Sequence, residues 1–170
     1  NGWFLAHQFE TKDNADIHES TTAQEILGDF EGARLDHVVL GYGTGGTATG
    51  LGRVLKQARP DLKITLSEPE NAALVSSGTA QARNAEGEPA ESHPSFTPHP
   101  VQGWTPDFIP LVLQEALDKG YFDALQPVSG PESIAMSRRL AAEEGILAGI
   151  SGGASVAAAL KVAHLAPKGS

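Results

Sequence analysis

The feature that most constrains the fold is a short apolar run that opens directly into a glycine-rich turn. Residues 37–41 (His-Val-Val-Leu-Gly) are typical of a strand buried on both faces of a sheet. Residues 43–47 are all glycine or threonine, and the next segment predicts a helix from Thr47 to Ala58, which Pro60 ends. A strand, a tight turn and a helix in this order predict one unit of a parallel sheet.

The same alternation continues along the chain. The predicted strands are 37–41, 62–67, 124–128 and 146–150, and the predicted helices are 18–30, 47–58, 71–77, 131–145 and 154–165, with a further helical stretch inside 108–120. Together they predict an α/β fold of three layers, in which helices cover both faces of a mostly parallel sheet.

The length of 170 residues suits one domain. Residues 78–98 are rich in Gly, Glu, Ser and Pro, which predicts a surface insertion within that domain. The chain has no initiator Met, and no strand follows its last helix. We therefore expect residues 1–170 to form one partial α/β domain that is truncated at both ends.

Composition argues against several kinds of partner and site. A formal net charge of −9 makes nucleic acid an unfavourable partner, and no apolar run approaches the roughly 20 residues of a membrane helix. The absence of cysteine excludes disulfides and thiolate metal sites within the chain and fits a cytoplasmic location. His93 and His99 have no helix-spaced partner, so no metal site is predicted.

The turn Gly43-Thr44-Gly45-Gly46-Thr47 predicts an anion site. Glycines let the backbone N–H groups approach an anion, the helix N-terminus adds partial positive charge, and threonine hydroxyls add donors. No lysine follows the glycines, which excludes the P-loop of nucleotide triphosphatases. The hydroxyl-rich run favours a phosphate monoester.

A dinucleotide is the alternative ligand of this turn. Gly41, Gly43 and Gly46 match the spacing of a dinucleotide-binding fingerprint, and Glu68 lies near the position of a ribose-binding carboxylate. On that interpretation the chain would be part of an oxidoreductase.

A second turn, residues 149–155 (Gly-Ile-Ser-Gly-Gly-Ala-Ser), precedes the last predicted helix. Ser151 within it could bind an anion, cap the helix or mark a close packing point.

The two turns together resemble the cysteine synthase (O-acetylserine sulfhydrylase) and cystathionine β-synthase family of pyridoxal-phosphate (PLP) enzymes. Residues 43–47 are similar to its GTGGT, and residues 149–155 to its G-I-S-S-G. Further similar segments are Gln8-Phe9 with Asn14, His18, Thr21-Thr22 and Glu25-Ile26, then Glu68-Pro69, and residues 99–110 (HPVQGWTPDFIP), which resemble the family's H-K-I-Q-G-I-G…F-I-P.

The resemblance implies a role for each matching residue. Gly43, Thr44, Gly45, Gly46 and Thr47 would hold the PLP phosphate. Ser151 would face the pyridine nitrogen, Gln8 would bind the substrate carboxylate, and Gln102 and Gly103 would line the pocket mouth. The implied fold is the large domain of the tryptophan-synthase-β-like PLP fold, called fold type II.

The resemblance also implies an activity, the replacement of the acetoxy group of O-acetylserine by sulfide to give cysteine. Cystathionine β-synthase or another β-replacing enzyme is the alternative within the family. The family's Schiff-base lysine would precede residue 1, so we assign no catalytic residue here and expect the chain to be inactive alone. The family's homodimer and its partner serine acetyltransferase are the implied protein partners.

Overall fold

The computed structural model describes residues 2–170. Its elements in chain order are α1 (Asp13–Ser20), α2 (Thr22–Asp29), β1 (His37–Gly41), α3 (Gly46–Ala58), β2 (Lys63–Pro69), a short 3-10 helix (Glu70–Ala72), α4 (Leu111–Asp118), β3 (Ala124–Val128), α5 (Gly130–Glu144) and α6 (Ile150–Leu165). In residues 2–170 no helix is both long and apolar enough to cross a membrane.

The three strands form one parallel sheet in the order β1-β2-β3. Alternate side chains of β1 point to opposite faces, because the side-chain period of a strand is two residues. Val38 and Leu40 pack with α3, whereas Val39 packs with α6. Helices therefore cover both faces, and the predicted three-layer α/β fold is confirmed.

The predicted strand at 146–150 is wrong. These residues are irregular up to the start of α6, and Leu147 is 91% exposed. The apolar sequence of residues 146–150 suits a buried strand, but no strand of residues 2–170 lies beside this segment. The segment is held instead by a hydrogen bond of 2.6 Å from the Ser137 hydroxyl to the Ala148 carbonyl.

Several predicted helix boundaries also change. The predicted helix at 18–30 is two helices, because the backbone of Thr21 leaves the helical region with φ −121° and ψ −81°. Residues 71–77 form only the end of the 3-10 helix and turns, and β2 continues through Pro69 instead of ending before it. The last helix begins four residues earlier than predicted, at Ile150.

Residues 78–98 contain one isolated antiparallel bridge, between Arg83 and Pro89, and no other strand or helix. The segment is tied to the α/β layers by side-chain hydrogen bonds. The buried Gln81 accepts one of 3.0 Å from the Ile109 N–H, and Arg83 donates one of 2.8 Å to the Ile109 carbonyl. Its description as an insertion stays a prediction.

Arg53 of α3 joins three helices through ion pairs. Its guanidinium bonds Glu115 of α4 at 2.6 and 2.7 Å, and Asp16 and Glu19 of α1 at 2.7 and 3.0 Å. The hydrogen bonds from Arg53 lower the pKa of Glu115. A carboxyl group with a lowered folded-state pKa stabilises the fold above its usual pKa, and that stabilisation is lost as the pH falls through the lowered value.

Replacing Arg53 with Met should therefore destabilise the protein, because three carboxylates lose their shared cation. Since those carboxylates are partly exposed, the expected loss is only about 1–2 kcal/mol at neutral pH. The loss should shrink as the pH falls below about 4.3, the usual pKa of a glutamate. Urea unfolding across pH measures both effects.

The matched control is Arg139→Met, which removes an exposed pair between Arg139 and Glu143 on one helix. It should leave the unfolding midpoint unchanged. Equal losses in the two variants, or a loss that does not depend on pH, would contradict the role given to Arg53.

Candidate functional site

The glycines of the 43–47 turn are required because three other segments contact its backbone. A Cβ atom on Gly43 would overlap the carbonyl oxygen of Gly103, and one on Gly46 would overlap the side chain of Asn14. Gly45 has φ +89°, and a Cβ there would lie 2.6 Å from Cβ of Leu113. Larger residues would push α1, α4 or the 102–105 turn away from this turn.

The turn presents donors to an anion. Within residues 2–170, the N–H groups of Gly43, Thr44, Gly45 and Thr47 donate to no protein acceptor. They lie at the start of α3, where the helix dipole also favours negative charge. The arrangement fits a phosphate group.

The Thr44 hydroxyl is oriented by its neighbours. Its oxygen accepts hydrogen bonds of 2.8 Å from the Asn14 amide and 3.3 Å from the Gly46 N–H. Because both bonds use the oxygen as acceptor, the hydroxyl proton stays available for an anion. The same Asn14 amide donates at 2.6 Å to the carbonyl of Gln8, so the predicted substrate-binding residue lies next to the turn.

The Thr47 hydroxyl lies 3.1 Å from Nε2 of His18, whose Nδ1 lies 3.0 Å from the Thr22 hydroxyl. With Nε2 protonated, the ring donates to Thr47, which keeps its own proton for an anion. Asn14 and His18 are thus site residues whose role was not predicted from the sequence. Their place in the matching QF…N…H…TT segment was the available signal.

Ser151 lies in the first turn of α6, but it is not the helix cap. The cap residue is Gly149, and no side chain caps this helix. Within residues 2–170 the Ser151 hydroxyl has no hydrogen-bond partner, and the residue is half-buried. The capping interpretation is therefore wrong, and the hydroxyl is available to a ligand.

The second predicted pocket segment lies along the end of β1. Gln102 and Gly103 are exposed, and Gly103 contacts Gly43. The Thr105 N–H donates a hydrogen bond of 2.7 Å to the carbonyl of Tyr42. The structure thus places Gly103 beside the glycine turn, and the assignment of Gln102 and Gly103 to a pocket mouth stays a prediction.

Glu68 cannot serve as a ribose-binding residue. It is fully buried, and its carboxylate accepts hydrogen bonds of 2.7–2.9 Å from the Tyr42 hydroxyl, the Val75 and Ser76 N–H groups and the Ser76 hydroxyl. Burial, followed by the charge of Glu68, raises the pKa of Tyr42, so the phenol stays protonated and donates. With both oxygens occupied, the dinucleotide alternative loses its ribose contact.

Three of the six lysines are held in ion pairs away from the glycine turn. Lys56 and Lys63 bind Asp123 at 2.6 and 3.2 Å, and Lys161 binds Glu132 at 3.0 Å. Within residues 2–170, no lysine hydrogen-bonds a residue of the turn.

Two curated relatives match almost the whole chain. This chain is 45% identical over 168 residues to the O-ureido-L-serine synthase of Streptomyces lavendulae. The matched residues cover 99% of this chain and 46% of that protein. It is 40% identical over 169 residues to a cysteine synthase of Staphylococcus aureus, again over 99% of this chain and 48% of that protein. The chain therefore spans about half the length of the curated relatives it matches.

The fold agrees with the sequence similarity. The crystal structure of O-ureido-L-serine synthase superposes with a TM-score of 0.84 at 45% identity, over 99% of this chain and 47% of that one. A family model described as pyridoxal-phosphate dependent enzyme matches residues 1–170. The chain belongs to the family of pyridoxal-phosphate dependent enzymes.

Proposed function

We propose that the protein replaces the acetoxy group of O-acetylserine by sulfide, giving cysteine and acetate. This proposal is best supported by the presence of two helix starts whose polar groups are available to a ligand. One is the 43–47 turn, in which four N–H groups find no acceptor among residues 2–170, and the other is the Ser151 hydroxyl at the start of α6. A phosphate group at the first and a ring nitrogen at the second match the two ends of PLP.

The reaction balances without oxidation or reduction. The bond between the β-carbon and the acetoxy oxygen breaks, and acetate leaves with the electron pair. The nucleophile loses a proton and bonds to the β-carbon, while the α-proton is removed and later returned. When bound, PLP supplies the conjugated electron sink that makes the α-proton acidic.

The chain's own residues would bind the cofactor and the substrate and orient them. Backbone N–H groups of the 43–47 turn, with the Thr44 and Thr47 hydroxyls, hold the phosphate, and Asn14 and His18 position those hydroxyls. A neutral serine at the pyridine nitrogen leaves that nitrogen less protonated than a carboxylate would, which suits elimination and replacement better than transamination. Gln8 binds the substrate carboxylate, and Gln102 and Gly103 line the entrance.

Other parts of the activity are proposed from the relatives. The base that would remove the α-proton, and that would also hold PLP, is a lysine in the half of the relatives that this chain does not match. We also propose a cytoplasmic homodimer that can bind serine acetyltransferase.

A second candidate differs only in the nucleophile. The relative with 45% identity is an O-ureido-L-serine synthase, and its product carries a ureido group bonded through oxygen to serine. Hydroxyurea in place of sulfide would give that product by the same replacement. The similarity to this relative favours testing both nucleophiles.

Replacing Gly45 with Ala should weaken PLP binding at least tenfold. Ala at φ +89° is strained by about 1–2 kcal/mol, and its Cβ would press on Leu113, which moves the N–H groups out of position. Titration of the 170-residue chain with pyridoxal phosphate, and separately with inorganic phosphate, measures the effect. Circular dichroism checks that the variant is folded.

The matched control is Gly78→Ala. Gly78 has φ +69°, but a Cβ there would meet no atom within 4 Å. This variant carries a similar backbone strain without the overlap, so it should bind both ligands like the unmodified protein. If the Gly45 variant and the unmodified protein bound pyridoxal phosphate and inorganic phosphate equally well, the 43–47 turn would not be the phosphate site.

Activity should appear only when the unmatched half is supplied. A hybrid in which residues 1–170 replace the matching part of the Streptomyces relative should form cysteine from O-acetylserine and sulfide, whereas the 170-residue chain alone should not. Ser151→Ala in the hybrid should lower the rate, because the pyridine nitrogen loses its partner. Acetate release and cysteine formation measure turnover.

The 170-residue chain with all six lysines replaced provides the decisive comparison. Turnover by that variant would show that this chain is catalytic without any lysine. The assignment of the catalytic lysine to the unmatched half of the relatives would then be wrong.

A further inference from the structure

We propose that Asn14 couples two parts of the candidate site, so that an anion bound at the 43–47 turn orders the segment that carries Gln8. This inference rests on the proposed function, in which the turn holds a phosphate and Gln8 binds the substrate carboxylate. Asn14 is then a positioning residue, which acts through Thr44 on one side and on the Gln8 carbonyl on the other.

A single amide group joins the two parts. Nδ2 of Asn14 donates hydrogen bonds of 2.6 Å to the Gln8 carbonyl and 2.8 Å to the Thr44 hydroxyl oxygen. Because a carbonyl oxygen can only accept, the NH2 group must face Gln8, and this fixes the orientation of the amide. Both N–H groups of Nδ2 are therefore used, one on each side.

The backbone of α1 holds Asn14 against the phosphate turn. A Cβ atom on Gly46 would overlap both the side chain and the carbonyl oxygen of Asn14, and one on Gly50 would overlap the carbonyl oxygen of Ala15. The start of α1 therefore rests directly on the first two turns of α3. A change at Thr44 is thus passed to the Asn14 amide, because α1 has no room to absorb it by moving closer.

The segment around Gln8 contains a strained turn. His7 has φ +46°, a region that non-glycine residues rarely adopt. Its carbonyl accepts hydrogen bonds of 2.9 Å from the N–H groups of both Glu10 and Thr11. Strain of this kind persists only where the surroundings enforce it, so the turn depends on contacts with the rest of the protein.

Asn14 provides the contact that holds Gln8. Phe9 is held in two ways, since its carbonyl accepts a hydrogen bond of 3.2 Å from the Val112 N–H and its ring meets that of Phe108 edge-on, with centroids 5.1 Å apart. Gln8 is exposed, and within residues 2–170 its single hydrogen bond is the one from Asn14. The position of Gln8 therefore depends on the orientation of the Asn14 amide.

An anion at the turn would fix that orientation. The Thr44 hydroxyl has its proton free for an anion, and donating it fixes the rotamer of the side chain. Thr44 then holds the Asn14 amide in one place, so ordering Gln8 costs less conformational entropy than in the empty protein. The consequence is an order of events, in which the phosphate of the cofactor must be in place before the substrate carboxylate is recognised.

The test uses the 170-residue chain and inorganic phosphate. Exchange of the Glu10 and Thr11 amide hydrogens, measured by NMR, reports order in the strained turn, because both amides bond the His7 carbonyl. Saturating phosphate should slow this exchange about fivefold, the lower end of typical couplings between two sites. Asn14→Ala should abolish the slowing at saturating phosphate.

Two variants of Thr44 separate coupling from binding. Thr44→Val keeps the shape of the side chain and the N–H donors of the turn, so it should still bind phosphate, though more weakly. At saturation it should show no slowing of exchange, because the hydroxyl that contacts Asn14 is lost. Thr44→Ser keeps the hydroxyl and should retain the slowing.

The matched control is Asn71→Ala, which removes an asparagine bond of 2.8 Å to the Pro98 carbonyl in another part of the fold. It should bind phosphate and slow exchange like the unmodified protein. Slowing that persists at saturation in Asn14→Ala and Thr44→Val, or that is absent from the unmodified protein with phosphate bound, would overturn the coupling. Failure of the proposed function looks different, because neither inorganic phosphate nor pyridoxal phosphate would then bind at the turn.

Discussion

The arrangement of the site depends on the close approach of backbones at the glycine turn. Three separate segments, from α1, α4 and the 102–105 turn, contact Gly46, Gly45 and Gly43 at distances that exclude any side chain. Since a packed interior resists even small volume changes, these contacts fix the start of α3 relative to its neighbours. The N–H groups that face an anion are therefore positioned before any ligand binds.

Two polar groups support this arrangement, the buried Glu68 and the half-buried Arg53. Glu68 joins the end of β2 to Tyr42 and to the 75–76 turn with four hydrogen bonds. Arg53 joins α3 to α1 and α4. A buried carboxylate is stabilising only when its oxygens are satisfied, and here they are satisfied by structural donors, so Glu68 maintains the fold instead of binding a ligand.

Local patterns were sufficient to predict most of the fold. The strands at 37–41 and 124–128 begin and end where their sequences predicted. The prediction of a strand at 146–150 was wrong because a strand requires a partner strand. The apolar character of Ile146 and Leu147 does not indicate whether such a partner lies beside them. The break at Thr21 was missed although Ser20, Thr21 and Thr22 are weaker helix formers, because a propensity difference of this size does not separate a break from a continuous helix.

The sequence by itself determined the two glycine turns, their place at helix starts and the family to which they belong, because glycine conformation and helix polarity are local properties. Only the tertiary structure decided that Asn14 and His18 orient the Thr44 and Thr47 hydroxyls. It also decided that Glu68 is unavailable to a ligand and that Trp104 lies on Gly41. These contacts join residues 26 to 63 positions apart, and such pairs are set by the packing of whole helices and strands, which no local pattern records.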